Sequence, residues 1–313
     1  MVITENTLNA LAALEYRGIG RAWINAHIRG GESVERMVTI LHEKIVDVTV
    51  CDFERKRIQI QSEIEQLGDA IDGVVGIGDE NFPTIRSTIK KGERPVALFY
   101  RGDIRLIKSV DKNVAVIGML EPSKQIENDE RKVVRELVNF DMCIVSGLAH
   151  GCDAVGHREC LTCGGRTVAF LSSPLTQINP PSNFSLAEEI VAKGGLLVTE
   201  YFRPAYSKRE FIGRYAERDR LQALFSGAIV LAASYAQRDH GKDSGSRFAM
   251  IKAKEYGIPR YVIYDPIRDK DNPMYNLSRD EMAIGAKELS LTSIHITTIE
   301  NNQQLALFTD HKM

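Results

Sequence analysis

Two short stretches of this chain carry backbone suited to holding a phosphate. Val114–Ile117 is an apolar run that meets Gly118, and Met142–Val145 is a second that meets Ser146-Gly147. A strand, a glycine turn and a helix in that order aim N–H groups at a ligand beyond the strand end, where phosphate oxygens bind well. The second turn continues as Leu148-Ala149-His150-Gly151-Cys152-Asp153. Gly118, Gly147 and Gly151 open the backbone to close approach, and Ser146 beside them adds only a small hydroxyl. Asp243-Ser244-Gly245-Ser246-Arg247 precedes a helical pattern, and its Ser and Gly N–H groups form an anion site of the same kind. The phosphate belongs either to a free nucleotide or to a nucleic-acid backbone, and these residues alone leave both open.

Side chains with other chemistry stand nearby. Arg214, Arg218 and Arg220, with Phe211, gather positive charge near a helix start, and Lys124, Arg203, Lys208, Arg209, Lys242 and Arg247 could add to it. Asp153 and His157 are four residues apart, so they share a helix face. With Glu200 they could supply acid/base chemistry; a helix-capping carboxylate bonded to a nearby imidazole is the simpler use. Cys152, His157, Cys160 and Cys163 have spacing that superficially suits zinc, but a helix from Asp153 to Cys163 turns Cys160 away from Cys152. No metal site, catalytic residue or cofactor is expected. Pro180-Pro181-Ser182-Asn183 reads as a stiff loop ending in a helix N-cap.

The elements that must position these groups follow from periodicity. Apolar runs at 114–117, 143–145, 167–171, 196–199, 228–232 and 260–264 predict strands. Helical patterns at about 124–140, 153–163, 184–193, 211–225 and 244–256 alternate with them. Strands apolar throughout and joined by helices imply an α/β, doubly wound, mostly parallel Rossmann-like sheet covered on both faces. Residues 1–70 look like a small helical domain, of the SAM/helix-hairpin-helix-like kind. Its turn Tyr16-Arg17-Gly18-Ile19-Gly20-Arg21 could touch DNA phosphates, or could simply end a helix on a left-handed glycine. Residues 71–112 read as strands or an extended connector, 113–298 as the main domain and 299–313 as a tail.

The chain has 313 residues, enough for a full core; 43% are hydrophobic and 26% charged, which is ordinary for a globular protein. The net charge of −2 weighs mildly against nucleic acid without excluding it, since binding needs only a local basic patch. No apolar stretch is long enough to span a bilayer and the first residues do not read as a secretory signal, so a cytoplasmic location off the membrane is expected. Five cysteines at irregular spacing do not suggest a disulfide framework.

Taken in order, the motifs resemble those of the DNA processing protein A (DprA/Smf) family. The family's S-G-x-A-x-G-x-D then A-x-x-H is matched by Ser146–Asp153 and Ala154–His157. Its G-G-x-T strand is matched by Gly164–Thr167, P-x-x-N by Pro180–Asn183, and G-x-x-x-S/T-E by Gly195–Glu200. Arg218-Asp219-Arg220 stands for R-N-R, Ser244-Gly245-Ser246 with Ala249 for S-G-S-x-x-x-A, and Asn276–Arg279 with Gly285–Lys287 for the closing stretch. Each motif is weak alone, but together and in order they are strong. Residues 70 to 290 are covered.

The resemblance implies single-stranded DNA binding, loading of the RecA recombinase, a role in transformation and recombination, and a homodimer. It places the nucleic-acid site at Gly118, Lys124, Ser146, Gly147, His150, Gly151, Asn183, Arg214, Arg218, Arg220, Ser244, Gly245, Ser246 and Arg247. Several family positions differ here. Met119-Leu120 replace Ser-Arg after the first glycine, Phe184 replaces a basic residue, His150 an Arg and Asp219 an Asn. Fewer cations predict weaker phosphate binding with a shallower salt dependence; Phe184 and Tyr201 could compensate by stacking on bases. The alternative is a nucleotide-binding sensor, or a nucleotide N-glycoside hydrolase like the cytokinin-activating phosphoribohydrolases. Their P-G-G-x-G-T-x-x-E signature would fall on Gly241–Ala249, which lacks both the Thr and the Glu.

Overall fold

The computed structural model describes residues 2–237, 239 and 245–289. Four helices come first: α1 (Glu5–Leu14), α2 (Arg21–His27), α3 (Val34–Leu41) and α4 (Val50–Glu65). Two strands follow, β1 (Gly73–Gly76) and β2 (Ala97–Gly102). The alternating part comprises β3 (Asn113–Ile117), α5 (Lys124–Asn139), β4 (Cys143–Ser146), α6 (Cys152–Thr162), β5 (Thr167–Phe170), α7 (Phe184–Ala192), β6 (Leu196–Thr199), α8 (Lys208–Leu224), β7 (Ala228–Leu231), α9 (Ser246–Glu255), β8 (Arg260–Ile263), α10 (Asn276–Ala283) and β9 (Lys287–Leu289).

All nine described strands form one sheet in the order β1-β2-β6-β5-β4-β3-β7-β8-β9. From β6 to β9 the pairing is parallel. The 71–112 segment does more than connect: β1 and β2 join the β6 edge as antiparallel strands. β9 was not foreseen, because a three-residue edge strand with an exposed Lys287-Glu288 start shows no apolar run. The doubly wound fold expected from the strand pattern is the one observed.

Each central strand is buried on both faces, and its alternate residues feed two different cores. Val168 and Phe170 face one core with Leu98, Leu196 and Val198. Ala169 and Leu171 face the other with Ala97, Phe99 and Leu197. The second core also receives Leu8, Ile24, Met37, Phe53 and Ile60 from α1–α4, so the N-terminal helices and one face of the sheet share a single apolar interior. Local sequence marks where helices start. Thr4, Ser33, Thr49, Ser123 and Ser207 each accept a backbone N–H three residues on, the usual N-cap. The Ser207 cap makes α8 begin at Lys208, three residues before the periodicity suggested.

Gly18 takes a φ of +88° in the turn after α1, the left-handed geometry of an ordinary chain reversal. Arg21 then points inward, to the Gly92 carbonyl (3.2 Å) and to Glu200 and Glu217. The charge of Arg21 is therefore spent within the fold, while Arg17 in the turn is exposed.

Candidate nucleic-acid interface

The chain leaves β3 toward β4 on one side of the sheet and β7 lies on the other, so the order reverses at β3. Such a reversal opens a crevice beyond the carboxyl ends of the strands. A cavity of about 410 Å³ occupies it, between the turns after β3, β4 and β5 and the helices α8 and α9. Gly118, Gly147, His150, Gly245 and Ser246, all expected at the site, line it.

The glycines there are demanded by packing. A β-carbon on Gly118 would overlap the Cys152 thiol, and one on Gly147 would overlap Arg218 Nη1. Gly151 has a φ of +71° and lies against the Met119 and Leu120 carbonyls. Several groups expected to hold phosphate instead hold the turns. Ser146 Oγ is fully buried and donates to the Val116 carbonyl (2.7 Å). Ser246 Oγ donates to the Gly118 carbonyl (2.7 Å). Asn183 makes no side-chain cap on α7; its Nδ2 donates to Leu148 and Ala149 carbonyls at 2.9 and 3.1 Å, pinning the 148–149 turn. With its amide turned to satisfy both neighbours, Gln222 Oε1 accepts from the Gly147 N–H (2.9 Å) and from Arg218 Nη1 (3.1 Å).

The expected arginine rim is not assembled. Of Arg214, Arg218 and Arg220, only Arg218 lines the cavity. Positions 218 and 220 lie about 200° apart around a helix, so they cannot face one pocket. Arg214 stacks on Tyr201 at 4.0 Å, bonds Glu210, and donates to the Arg203 carbonyl (2.9 Å). Arg220 is 2% exposed; it pairs with Glu200 and Glu217 and donates to the Glu93 carbonyl (2.8 Å). Arg203 pairs with Glu15 and Glu63. Lys124 is exposed at the start of α5, outside the lining, and Arg247 stacks on Phe248 at 4.6 Å. Ser244, Lys242 and Asp243 lie outside the described residues.

Arg218 itself is compensated. Its Nη1 lies 3.3 Å from Asp153 Oδ2, and its Nε lies 3.0 Å from Asp219 Oδ1. All three side chains are buried against the cavity. Among the described lining residues the acidic and basic groups of this cluster are therefore two carboxyls and one guanidinium. Asp219 Oδ2, itself without accessible surface, has no hydrogen-bond partner among the described residues. Burial pushes the Asp219 carboxyl up to about 7, with Arg218 opposing and Asp153 assisting. Tyr215, Asp219 and Gln222 belong to this wall. Their spacing from Arg218 (−3, +1, +4) was the available signal, since 215, 218 and 222 share a helix stripe.

The residues weighed for acid/base and metal chemistry make contacts of their own inside the fold. Asp153 Oδ2 accepts from the Ala149 N–H (3.2 Å). His157 is fully buried away from the cavity, with Nδ1 2.7 Å from Thr167 Oγ1. Thr167 Oγ1 donates to the Ile144 carbonyl (2.7 Å), so it accepts from the imidazole N–H. Burial lowers the His157 pKa to about 4. Cys152 lies against Gly118, Cys160 Sγ faces the Arg166 carbonyl (3.3 Å), and Cys163 is exposed. No group of three His, Cys, Asp or Glu converges on a metal position among the described residues. Glu200 is taken by Arg21 and Arg220.

The fold and motifs agree with known proteins. Protein Smf of Synechocystis sp. is 38% identical over 139 residues, covering 44% of this chain and 34% of that protein. DNA processing protein DprA of Streptococcus pneumoniae is 31% identical over 177 residues, covering 56% of this chain and 58% of that protein. The chain thus spans between a third and three fifths of these two relatives. The crystal structure of the S. pneumoniae protein superposes with a TM-score of 0.70 at 24% identity, over 92% of this chain and 95% of that one. A Helicobacter pylori DNA processing protein A, solved for its single-stranded DNA binding mode, superposes with a TM-score of 0.56 at 24% identity, over 70% of this chain and 92% of that one. The profile of DNA recombination-mediator protein A matches residues 73–288, and the chain belongs to that family.

Proposed function

We propose that this protein binds single-stranded DNA, and that the cavity takes an unstacked base while the sugar-phosphate chain stays at its mouth. The observation that carries this reading is the lining itself. Tyr215, Leu120, Pro180 and Pro181 give it flat apolar walls, and among the described lining residues the one guanidinium, Arg218, is already paired with Asp153 and Asp219. Such walls suit a planar ring. A base in a duplex is stacked and paired, whereas a single strand offers its bases at little cost. Lys124 at the start of α5 and Lys208 and Arg209 at the start of α8 are exposed on helices that follow the carboxyl ends of β3 and β6, where they can meet phosphates outside. Phe184, 55% exposed at the start of α7, offers a further stacking surface; Tyr201 is covered by Arg214.

Family membership supports extending the proposal to DNA processing, with delivery of the strand to a RecA recombinase by a homodimer in the cytoplasm. No described helix is long and apolar enough to cross a membrane. We assign no catalytic role, because the acid/base candidates are committed to internal bonds. The test is a labelled oligo-dT titrated across a salt series, with mononucleotides as competitors. Binding at low salt with a log–log slope of about −1 to −2, two or three phosphates' worth, is expected. No oligonucleotide binding, together with tight mononucleotide binding, would replace this reading with the nucleotide sensor or hydrolase.

A further inference from the structure

We infer that a second cavity, at the pole of the sheet opposite the crevice, docks an acidic peptide segment of a partner protein. The inference stands apart from the DNA reading, because the two cavities share no lining residue. The second cavity holds about 430 Å³. It lies at the amino ends of β3 and β7, where Lys112 precedes Asn113 and α8 ends at Leu224. Its charged side chains, among the described lining residues, are Arg86, Lys108, Lys112 and Asp111. Three cations thus face one carboxylate in a chain whose net charge is −2, so the positive excess is local.

The walls are fixed, and the lysines are not consumed by them. Arg86 donates to the Leu224 and Ser226 carbonyls at 3.3 and 3.1 Å, which anchors its guanidinium at the end of α8. A β-carbon on Gly227 would stand 3.1 Å from Asp111 Cα and from the Val110 carbonyl oxygen, so the 110–112 turn packs directly on the residue before β7. Lys108 Nζ donates to Asn81 Oδ1 (2.9 Å), a neutral partner that leaves its charge uncancelled. Lys112 Nζ lies 3.9 Å from Asp141, and the two side chains are 63% and 79% exposed, so that pair is weak and exchangeable.

The lining narrows the class of ligand. Two exposed lysines draw an anion. A nucleic-acid strand fits poorly: its backbone has no N–H to give Asp111, and no aromatic ring stands among the described lining residues for a base to stack on. A peptide answers both signs. Acidic side chains meet Lys108 and Lys112, while backbone N–H groups meet Asp111 and the hydroxyls of Thr84 and Ser109. Residues 290–313 of this chain hold only Glu300 and Asp310 as acidic side chains, so a partner is the better source of such a segment. A partner docked there leaves the crevice at the other pole clear, and DNA and partner can be held at once.

The experiment titrates the protein into a fluorescein-labelled 12-mer of alternating Glu and Ala at low ionic strength, read by anisotropy, with a Gln and Ala 12-mer as the neutral control. The acidic peptide should bind and the neutral one should not. Lys108→Gln with Lys112→Gln should weaken acidic-peptide binding about fivefold, as the loss of two exposed ion pairs allows. Lys124→Gln, at the other pole, should leave it unchanged. Thermal melts confirm that the variants are folded. Saturating oligo-dT should not displace the peptide, and the double variant should bind oligo-dT as the wild type does. Equal affinity for the two peptides, or a double variant that binds the acidic one as the wild type does, overturns the inference. Displacement by oligo-dT, or weaker oligo-dT binding in the double variant, overturns it in favour of a nucleic-acid site. A wild type that binds the acidic peptide as expected but no oligo-dT overturns the DNA reading and leaves this inference standing.

Discussion

The guanidinium of Arg218 fills the space that a side chain on Gly147 would occupy. A β-carbon at Gly147 would overlap Arg218 Nη1, and the Gln222 amide, on the same side, bonds to both. One residue after β4 and one on α8 are thereby fitted directly against each other at the cavity wall. Gly147→Ala should drive Arg218 out of its position between Asp153 and Asp219. Oligonucleotide affinity should drop at least tenfold, with about 1–3 kcal/mol of stability lost to overpacking. Anisotropy and thermal melts measure the two effects; an unchanged affinity in a folded variant would remove the cavity from the binding site.

Arg220 is expected to matter for stability and not for DNA. Arg220→Ala leaves Glu200 and Glu217 beside an empty, buried site. Breaking such a pair from one side costs about 3–5 kcal/mol. Urea denaturation should show that loss, while the slope of log K against log salt should match the wild type. A reduced slope would place Arg220 on the nucleic acid after all.

Asp219 makes stability fall as pH rises. Burial lifts its carboxyl from 3.8 to about 7. The folded protein therefore holds a proton that the unfolded chain releases across that window, and stability declines as pH climbs through it. Asp219→Asn removes the dependence. The variant should gain stability over the wild type at pH 8, and gain less at pH 5. Denaturant midpoints at the two pH values provide the comparison; a gain that is larger at pH 5 contradicts the assignment.

His157 acts in the opposite sense. Burial takes it from 6.5 down to about 4, so the unfolded chain binds the proton first. Stability should rise as pH climbs from about 4 to 6.5 and level off above it. Thr167→Val removes the hydroxyl that receives the imidazole N–H and leaves a buried donor unpaired. A loss of about 1–3 kcal/mol at pH 7 is expected, read by urea unfolding. A neutral effect would mean that water or a rotated ring satisfies the imidazole.

Much of this architecture was already written in local pattern. The runs 114–117, 143–145 and 228–232 are apolar at every position, which only a sheet covered on both faces accommodates. Ser123 before α5 starts that helix with its own hydroxyl. The ordered motifs from Ser146 to Lys287 pointed to the family that the profile over 73–288 identifies. The glycine turns expected at the ends of β3 and β4 do line one cavity.

The assignment of each charged side chain was another matter. Arg214, Arg218 and Arg220 look alike in a list of basic residues, yet one meets the cavity, one grips the 203–204 turn and one closes an ion cluster with Glu200 and Glu217. Helical spacing could have separated 218 from 220. It could not have supplied their partners, which come from as far away as Glu93 and Asp153. Sequence by itself determined the elements, their order and the family, because hydrophobic period, capping and turn chemistry act over a few residues. Only the tertiary structure decided which charged side chains meet at the cavity, because those neighbours are brought together by the fold from distant parts of the chain.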